Sequence, residues 1–534
     1  MQDYNSIIDM FDRVCKDYAD LPVFSCLGCT MTYRELDELS RQFATYLQHH
    51  TTLAPGDRMA IQLPNILQYP VVLFGAIRAG IVIVNTNPLY TGSELKHQLN
   101  DSGAKVLVVL ANVAKAIEEV IDETDIQQVI VTEVADLHPF PKRQLINGVI
   151  KYVKKQVPVC HFPRSVGFRK AMELGRRDEF THVDAQKVDI AFLQYTGGTT
   201  GVAKGAMLTH SNLLSNCTQL INHLTGTLVE REEVYLAPLP LYHIYGFTMH
   251  CMVMLSIGGH SVLVPNPRDL PSLIKAFKSY PLTGMIGLNT LFVGLLNNSE
   301  FTALDFSGLK VTVSGGMALA EDTARRWEQL TGALPMEGYG LTETSPVICA
   351  NQQHSIQLGS IGPPIPDTEC KVVDPDGNTL PNGDAGELCV RGPQVMLGYW
   401  NNLEATAQVI DEEGWFKTGD VAMIQDDGFV RIVDRKKDMI IVSGFNVYPN
   451  EVENALVQHP EIVEAAVVAV PDDNSGEAVK AFLVLTEGCG LDDDAIKAFC
   501  RESLTAYKVP RFYEFRDELP KTNVGKVLRR ELRE

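Results

Sequence analysis

The stretch Tyr195-Thr-Gly-Gly-Thr-Thr-Gly-Val-Ala-Lys-Gly205 is where this sequence concentrates the most chemistry in the fewest residues. Glycines let a backbone turn its N–H groups toward phosphate oxygens, threonine hydroxyls add donors, and a lysine supplies charge. The stretch follows an apolar strand-like run, Ile190-Ala-Phe-Leu193, and precedes a helix start at Ser211-Asn212. It is not a Walker A loop, because Ala203 and not glycine stands directly before Lys204. A ligand-free Gly/Thr turn is the bland alternative, but so many donors beside one cation favour phosphate.

The elements that must position such a loop show as alternating apolar runs and helical patterns. Arg58-Met-Ala-Ile-Gln-Leu63, Ile81-Val-Ile-Val84 and Lys105-Val-Leu-Val-Val-Leu110 have strand length and β-branched character, and Ser93–Asp101 between them reads as helix. This is βαβ patterning, which implies an α/β fold of mostly parallel sheets covered by helices. From about Gly362 short strands and tight turns take over, among them Asp374-Pro-Asp-Gly377 and Asp426-Asp-Gly428, which predicts a small β-rich, barrel-like subdomain. From Asp434 a last unit follows: helix over Pro449–His459, strands over Val463–Val470 and Val479–Leu485, and helix over Asp492–Ser503. About 100 residues of α+β can form their own core. The expected division is therefore 1–433 as a large N-terminal domain and 434–534 as a small C-terminal one.

At 534 residues the chain exceeds one compact core, and 45% hydrophobic with 21% charged residues is ordinary globular composition. A net charge of −20 argues against nucleic acid, whose backbone demands clustered Lys and Arg. Met1 to Arg13 carries Asp3, Asp9 and Asp12 where a secretory leader needs a basic start. The apolar windows near Val71–Val84 and Ile244–Ile257 are short for a bilayer and interrupted by Arg78 and His250, so both read as buried core. Of the 11 cysteines only Cys26 and Cys29 are closely spaced, and a lone CxxC is a weak zinc signal. A cytoplasmic, reduced chain is expected.

Further along, Pro240-Leu-Tyr-His-Ile-Tyr-Gly246, Gly338-Tyr-Gly-Leu-Thr-Glu-Thr344, Gly414-Trp-Phe-Lys-Thr-Gly-Asp420, Asp434-Arg-Lys-Lys-Asp438 and Lys521-Thr-Asn-Val-Gly-Lys526 complete an ordered set with the loop. Together they resemble the motifs of the adenylate-forming superfamily, which holds acyl-CoA synthetases, luciferases and peptide-synthetase adenylation domains. Gly386-Glu-Leu-Cys-Val-Arg-Gly392 and Gly398-Tyr-Trp400 through Asp420 are similar to the fatty-acyl-CoA synthetase signature of bacterial long-chain-fatty-acid–CoA ligases. Val421-Ala422 departs from it where glycine is frequent.

The resemblance implies a role for each matching residue. Thr196, Gly197, Gly198, Thr199, Thr200, Gly201 and Lys204 would hold the β- and γ-phosphates of ATP. Glu343 with Thr196 would bind Mg²⁺, a hard cation that takes oxygen ligands. Gly316, Met317 and Ala318 with Gly338, Tyr339, Gly340 and Thr342 would enclose the adenine. Asp420, assisted by Arg435, would accept the ribose hydroxyls. Lys526 would bridge the fatty carboxylate and the α-phosphate, Asp434 would be the hinge, and Ser443, Gly444 and Phe445 would lie beside the coenzyme A thiol. His243, Tyr245 and Gly246 would line the acyl pocket, although a core-packed His243 explains the sequence nearly as well.

The implied activity is ATP-dependent activation of a fatty acid and its transfer to coenzyme A. Ligases for medium-chain or aryl acids, and adenylate formers that load a carrier protein, share the ATP motifs. One segment falls outside the motif set. Lys142 through Lys170 holds eight basic residues and no acid, and Leu145, Ile146, Val149, Ile150, Val153 and Val157 recur at helical spacing with Lys151, Lys154 and Lys155 between them. Such a basic amphipathic helix can lie on an anionic membrane, and equally can pack its apolar face on the core.

Overall fold

The computed structural model describes residues 4–196, 202–443, 445–472, 475–486, 488–521 and 527–533. The chain separates into two compact units, Met1–Ile356 with Ile365–Thr368 and Gly392–Asp411, and Gln357–Pro364 with Glu369–Arg391 and Glu412–Glu534. The expected boundary at Asp434 lies inside the second unit.

The first unit is built on two eight-stranded sheets. In one, strands Val82–Asn85, Arg58–Gln62, Ala104–Leu110 and Gln128–Thr132 run parallel, and Ile190–Thr196 pairs parallel with Val82–Asn85. Val84, Val106, Leu107 and Val108 are wholly buried, as in a sheet covered on both faces, and this explains why the strands read as continuous apolar runs. Lys204–Thr209 and Gly398–Tyr399 extend this sheet antiparallel. In the other sheet, Val234–Ala237, His260–Leu263, Gly284–Gly287, Val311–Gly315 and Met336–Gly340 form a parallel interior.

Both doubtful apolar windows are core. Helix Gln68–Arg78 is buried along its whole length, and Arg78 ends it between the carboxylates of Asp12 (2.7 Å) and Asp37. A buried cation is tolerated when it is paired. His250 is enclosed with Nδ1 2.9 Å from Ser261 Oγ, and burial holds its imidazole down to about 3, hence neutral. Among the described residues no helix is long and apolar enough to cross a membrane, and no group of three or more His, Cys, Asp or Glu could hold a metal ion. The helix read from Ser211 starts at His210, because Thr209 caps it and Asn212 returns a side-chain bond to Thr209.

The second unit carries the expected small β-rich part as a four-stranded antiparallel sheet, Glu369–Val373, Ala385–Arg391, Phe416–Ile424 and Val430–Arg435. Its second sheet joins Phe445–Val447, Ile440–Val442, Gly476–Leu485 and Ile462–Asp472, with Phe512–Phe515 parallel to Gly476–Leu485. Helices Pro449–Leu456 and Asp493–Ser503 contribute Val452, Leu456, Ile496 and Cys500 to one apolar cluster with this sheet.

Candidate functional site

Thr196 and Lys204 end one strand and begin the next, and they face each other across the antiparallel pair. Gly197, Gly198, Thr199, Thr200 and Gly201 between them lie outside the described residues. Both flanks of that loop are anchored. The Tyr195 hydroxyl donates to Asp101 Oδ2 (2.5 Å), and His97 Nε2 meets the Ala203 carbonyl (2.9 Å). The Trp400 amide donates to the Gly205 carbonyl (2.8 Å) and its indole N–H to the Asp101 carbonyl (3.1 Å).

The strand Gly398–Tyr399 beside Lys204–Thr209 brings in a residue that motif reading passed over. The Tyr399 ring lies under Lys204 Nζ, 4.9 Å from centroid to cation, and its hydroxyl donates to Glu343 Oε1 (2.8 Å). Burial, then the Glu343 charge, raises the Tyr399 phenol far above its ordinary range, so it stays a donor. Glu343 sits in the turn Thr342–Thr344, which packs against both loop-flanking strands, and its carbonyl accepts the Met396 amide (2.8 Å). Lys204, Tyr399 and Glu343 thus form one connected group beside the strands Ile190–Thr196 and Lys204–Thr209. The signal for Tyr399 was an aromatic next to Gly398 in the ligase signature.

Gly316 follows the strand Val311–Gly315 with positive φ (+78°), and Gly338, Tyr339 and Gly340 lie on the neighbouring strand. After Gly316, Met317 and Ala318, the amide of Leu319 reaches Glu337 Oε2 (3.2 Å) and that of Ala320 reaches Asn289 Oδ1 (3.1 Å). A Cβ on Gly340 would stand 2.0 Å from the Pro346 carbonyl oxygen, so only glycine fits where the chain doubles back. Gly316 and Gly338–Gly340 thus lie at the ends of two neighbouring parallel strands.

The segment of His243, Tyr245 and Gly246 is fixed by buried amides that the sequence did not advertise. Asn65 Nδ2 donates to the carbonyls of Ala237 (2.9 Å) and Leu239 (2.8 Å), its Oδ1 accepts the Leu241 amide (2.8 Å), and Gln194 Nε2 donates to the Tyr242 carbonyl (2.9 Å). His243 is exposed, with Nδ1 accepting the Tyr245 amide (3.4 Å), so core packing does not account for it. Tyr245 packs its ring against Gly315, and its hydroxyl is buried with no hydrogen-bond partner among the described residues.

In the second unit Asp420 and Arg435 are cross-strand neighbours, with Nε and Oδ1 3.5 Å apart, and Asp420 is buried. Asp434, next along, has no exposed side-chain surface and accepts the amides of Arg435 (2.6 Å) and Asn450 (2.7 Å). Burial lifts its carboxyl to about 6 against the pull of Arg529. Ser443 donates its amide to the Ser475 carbonyl (2.9 Å), and Phe445 is exposed with its ring stacked on Tyr507. Gly444 and Lys526 lie outside the described residues. The chain on either side of 522–526 is tied together by the bridge Lys521–Val527 and by Leu528 N–H to the Pro520 carbonyl (2.8 Å).

Residues 11–400 match the family model described as AMP-binding enzyme, and residues 451–526 match the AMP-binding enzyme C-terminal domain. A long-chain-fatty-acid–CoA ligase of Escherichia coli O6:H1 is 52% identical over 533 residues, covering 99% of this chain and 94% of that protein. A feruloyl-CoA synthase of Amycolatopsis is 34% identical over 508 residues, 95% of this chain and 94% of that one. Among solved structures, an anthranilate CoA ligase in complex with anthranoyl-AMP superposes with a TM-score of 0.88 at 25% identity, covering 100% of this chain and 97% of that one.

Proposed function

Starting from its membership of the AMP-binding enzyme family, to which this chain belongs, we propose that the protein is a long-chain-fatty-acid–CoA ligase. The observation that carries the reading is the 52% identity over 533 residues with a ligase of that name, against 34% with the feruloyl-CoA synthase. ATP and coenzyme A are its co-substrates. The fatty carboxylate attacks the α-phosphorus of ATP, pyrophosphate leaves, and an acyl-adenylate remains. The thiol sulfur of coenzyme A then attacks the acyl carbonyl, giving up its proton as the C–S bond forms, and AMP departs. The first step needs no general base, because a carboxylate is already a nucleophile.

Lys204 and the 197–201 loop hold the outgoing phosphates. Glu343 and Thr196 offer carboxylate and hydroxyl oxygens, a donor set that suits Mg²⁺. With a single carboxylate, the cation would take most of its ligands from phosphate and water, and it would neutralise charge on the leaving pyrophosphate. Asp420 with Arg435 takes the ribose, and the Gly316–Ala318 and Gly338–Gly340 edges take the adenine. Lys526 serves adenylation, and a turn about Asp434 then exchanges it for the Ser443–Phe445 segment at the thiol.

Turnover of acetate, octanoate, palmitate and coumarate, each with and without coenzyme A, tests the substrate class. kcat/KM should rise by roughly fourfold per methylene, about 0.8 kcal/mol, until the acyl pocket ends. A flat response from acetate to palmitate, or faster coumarate, would move the assignment to another acid. Product formation independent of coenzyme A would point to a carrier-loading enzyme.

We further place this ligase at an anionic membrane surface, where its substrate partitions. The segment Lys142–Val153 has no buried residue: Leu145, Val149, Tyr152 and Val153 are exposed on it, while Lys151, Lys154 and Lys155 are exposed beside them. Leu145, Val149 and Val153 leave apolar surface open to solvent, which supports the membrane reading, while Ile146, Ile150 and Val157 of the same stripe are half-buried. At about 1 kcal/mol per lysine near an anionic surface, replacing all three by glutamate should weaken vesicle binding by roughly a hundredfold or more at low salt. Unchanged sedimentation with phosphatidylserine vesicles would remove the membrane reading.

A further inference from the structure

Within the second unit one guanidinium gathers side chains from several separate segments. Arg529 Nη2 donates to Glu453 Oε2 (2.7 Å) and to Asn450 Oδ1 (2.6 Å), Nε donates to Glu453 Oε1 (3.1 Å), and Nη1 donates to Asp438 Oδ2 (3.2 Å). Nη1 also lies 3.6 Å from Asp434 Oδ1. Arg533 holds the second oxygen of Asp438 (2.7 Å). Glu453 and Asn450 belong to the helix Pro449–Leu456, Asp434 to the strand Val430–Arg435, and Arg529 to the terminal turn Arg529–Leu532. Arg529 and its acceptors are at most 17% exposed where they form ion pairs. A buried bidentate arginine is rigid, and removing it leaves its acceptors unsatisfied in low dielectric.

The backbone at Asp434 is held by these contacts. Its carboxylate takes the amides of Arg435 and Asn450, and Arg529 is the cation 3.6 Å away that keeps that carboxylate charged against burial. A change of backbone angles at Asp434 must loosen this arrangement. We propose that Arg529 is a positioning residue that fixes the backbone at Asp434 and thereby sets the balance between adenylation and thioester formation. This rests on the reading of the chain as a two-step ligase that turns about Asp434.

The balance should also depend on pH, with a sign that can be worked out. The groups acting on Asp434 are the amides of Arg435 on its own strand and of Asn450 on the helix, the Glu453 carboxylate on that helix, and Arg529 on the terminal segment; Asp438, held by Arg533, faces Arg529 from the other side. Burial raises Asp434 to about 6, Arg529 and two amides oppose that rise, and Glu453 adds to it. Above about 6 Asp434 is charged and paired with Arg529. Below it the carboxyl is neutral and the hold weakens. Without Arg529 the chief opposing charge is gone, so neutralisation moves to higher pH.

The test uses the full chain with Arg529→Gln and Arg529→Lys. Adenylation is followed by pyrophosphate exchange, thioester formation by conversion of supplied palmitoyl-adenylate, each from pH 5.5 to 8.5. The ratio of the two rates should change at least tenfold in Arg529→Gln and recover partly in Arg529→Lys. The pH midpoint of that ratio, near 6 in the wild type, should move upward in Arg529→Gln. If both rates fall by one factor in either variant, with ratio and midpoint unchanged, Arg529 is structural only and the proposal fails. Should Arg529→Gln not fold, Arg529→Lys decides by the same two readouts. Wild-type palmitoyl-CoA synthesis in the same series reports on the ligase reading separately.

Discussion

Replacing Lys526 by alanine is expected to slow adenylation by about 10³-fold while leaving conversion of supplied palmitoyl-adenylate to palmitoyl-CoA within about threefold. The magnitude follows from charge. Adenylation drives a carboxylate into an α-phosphate, and a cation at about 4 Å from such an anion gains about 4 kcal/mol at an effective dielectric of 20. Thioester formation from the adenylate brings a neutral acyl carbonyl to a thiol, so the same cation has far less to do. Stopped-flow measurement of each half-reaction separates the two effects. Equal loss in both, with the protein still folded, would show that Lys526 supports the structure and not the first step.

Glu343→Gln is the second substitution with a large expected effect. The Tyr399 hydroxyl can still donate to the amide oxygen of glutamine, so the group formed with Lys204 keeps its shape. What is lost is the negative charge. Half-saturation by Mg²⁺ in the pyrophosphate exchange assay should therefore rise by at least about tenfold, and adenylation at fixed low Mg²⁺ should fall by about 10²-fold. Thioester formation from supplied adenylate should be nearly unaffected. An unchanged Mg²⁺ titration would mean that Glu343 does not hold the cation.

The sequence carried the parallel sheets well, because strands such as Ala104–Leu110 are buried on both faces and must be apolar throughout. It carried the loop at Thr196–Lys204 and the pair Asp420 and Arg435 through motif likeness, and the strands place each pair side by side. Interactions made by residues far apart in the chain were not legible. The bonds of Arg529 and Arg533 to Glu453 and Asp438 span 76 to 95 residues. The fixing of 237–242 by Asn65 and Gln194 depends on buried amides, which carry no pattern of their own in a sequence. The small sheet after Gly362 was legible as β-rich from its short strands and tight turns, which look alike whether or not a sheet closes. Arg78 and His250 interrupt apolar windows that read as core, and both are interior, one paired with two carboxylates and the other held neutral.

The most direct test of the account is the fate of the carboxylate oxygen. Palmitate labelled with ¹⁸O in both carboxylate positions is turned over with ATP and coenzyme A, and the products are weighed by mass spectrometry. Attack on the α-phosphorus followed by thiol displacement predicts AMP carrying one ¹⁸O, unlabelled pyrophosphate, and palmitoyl-CoA retaining the other ¹⁸O. Label in inorganic phosphate alongside ADP, or AMP without ¹⁸O, would contradict an adenylate intermediate and with it the assignment.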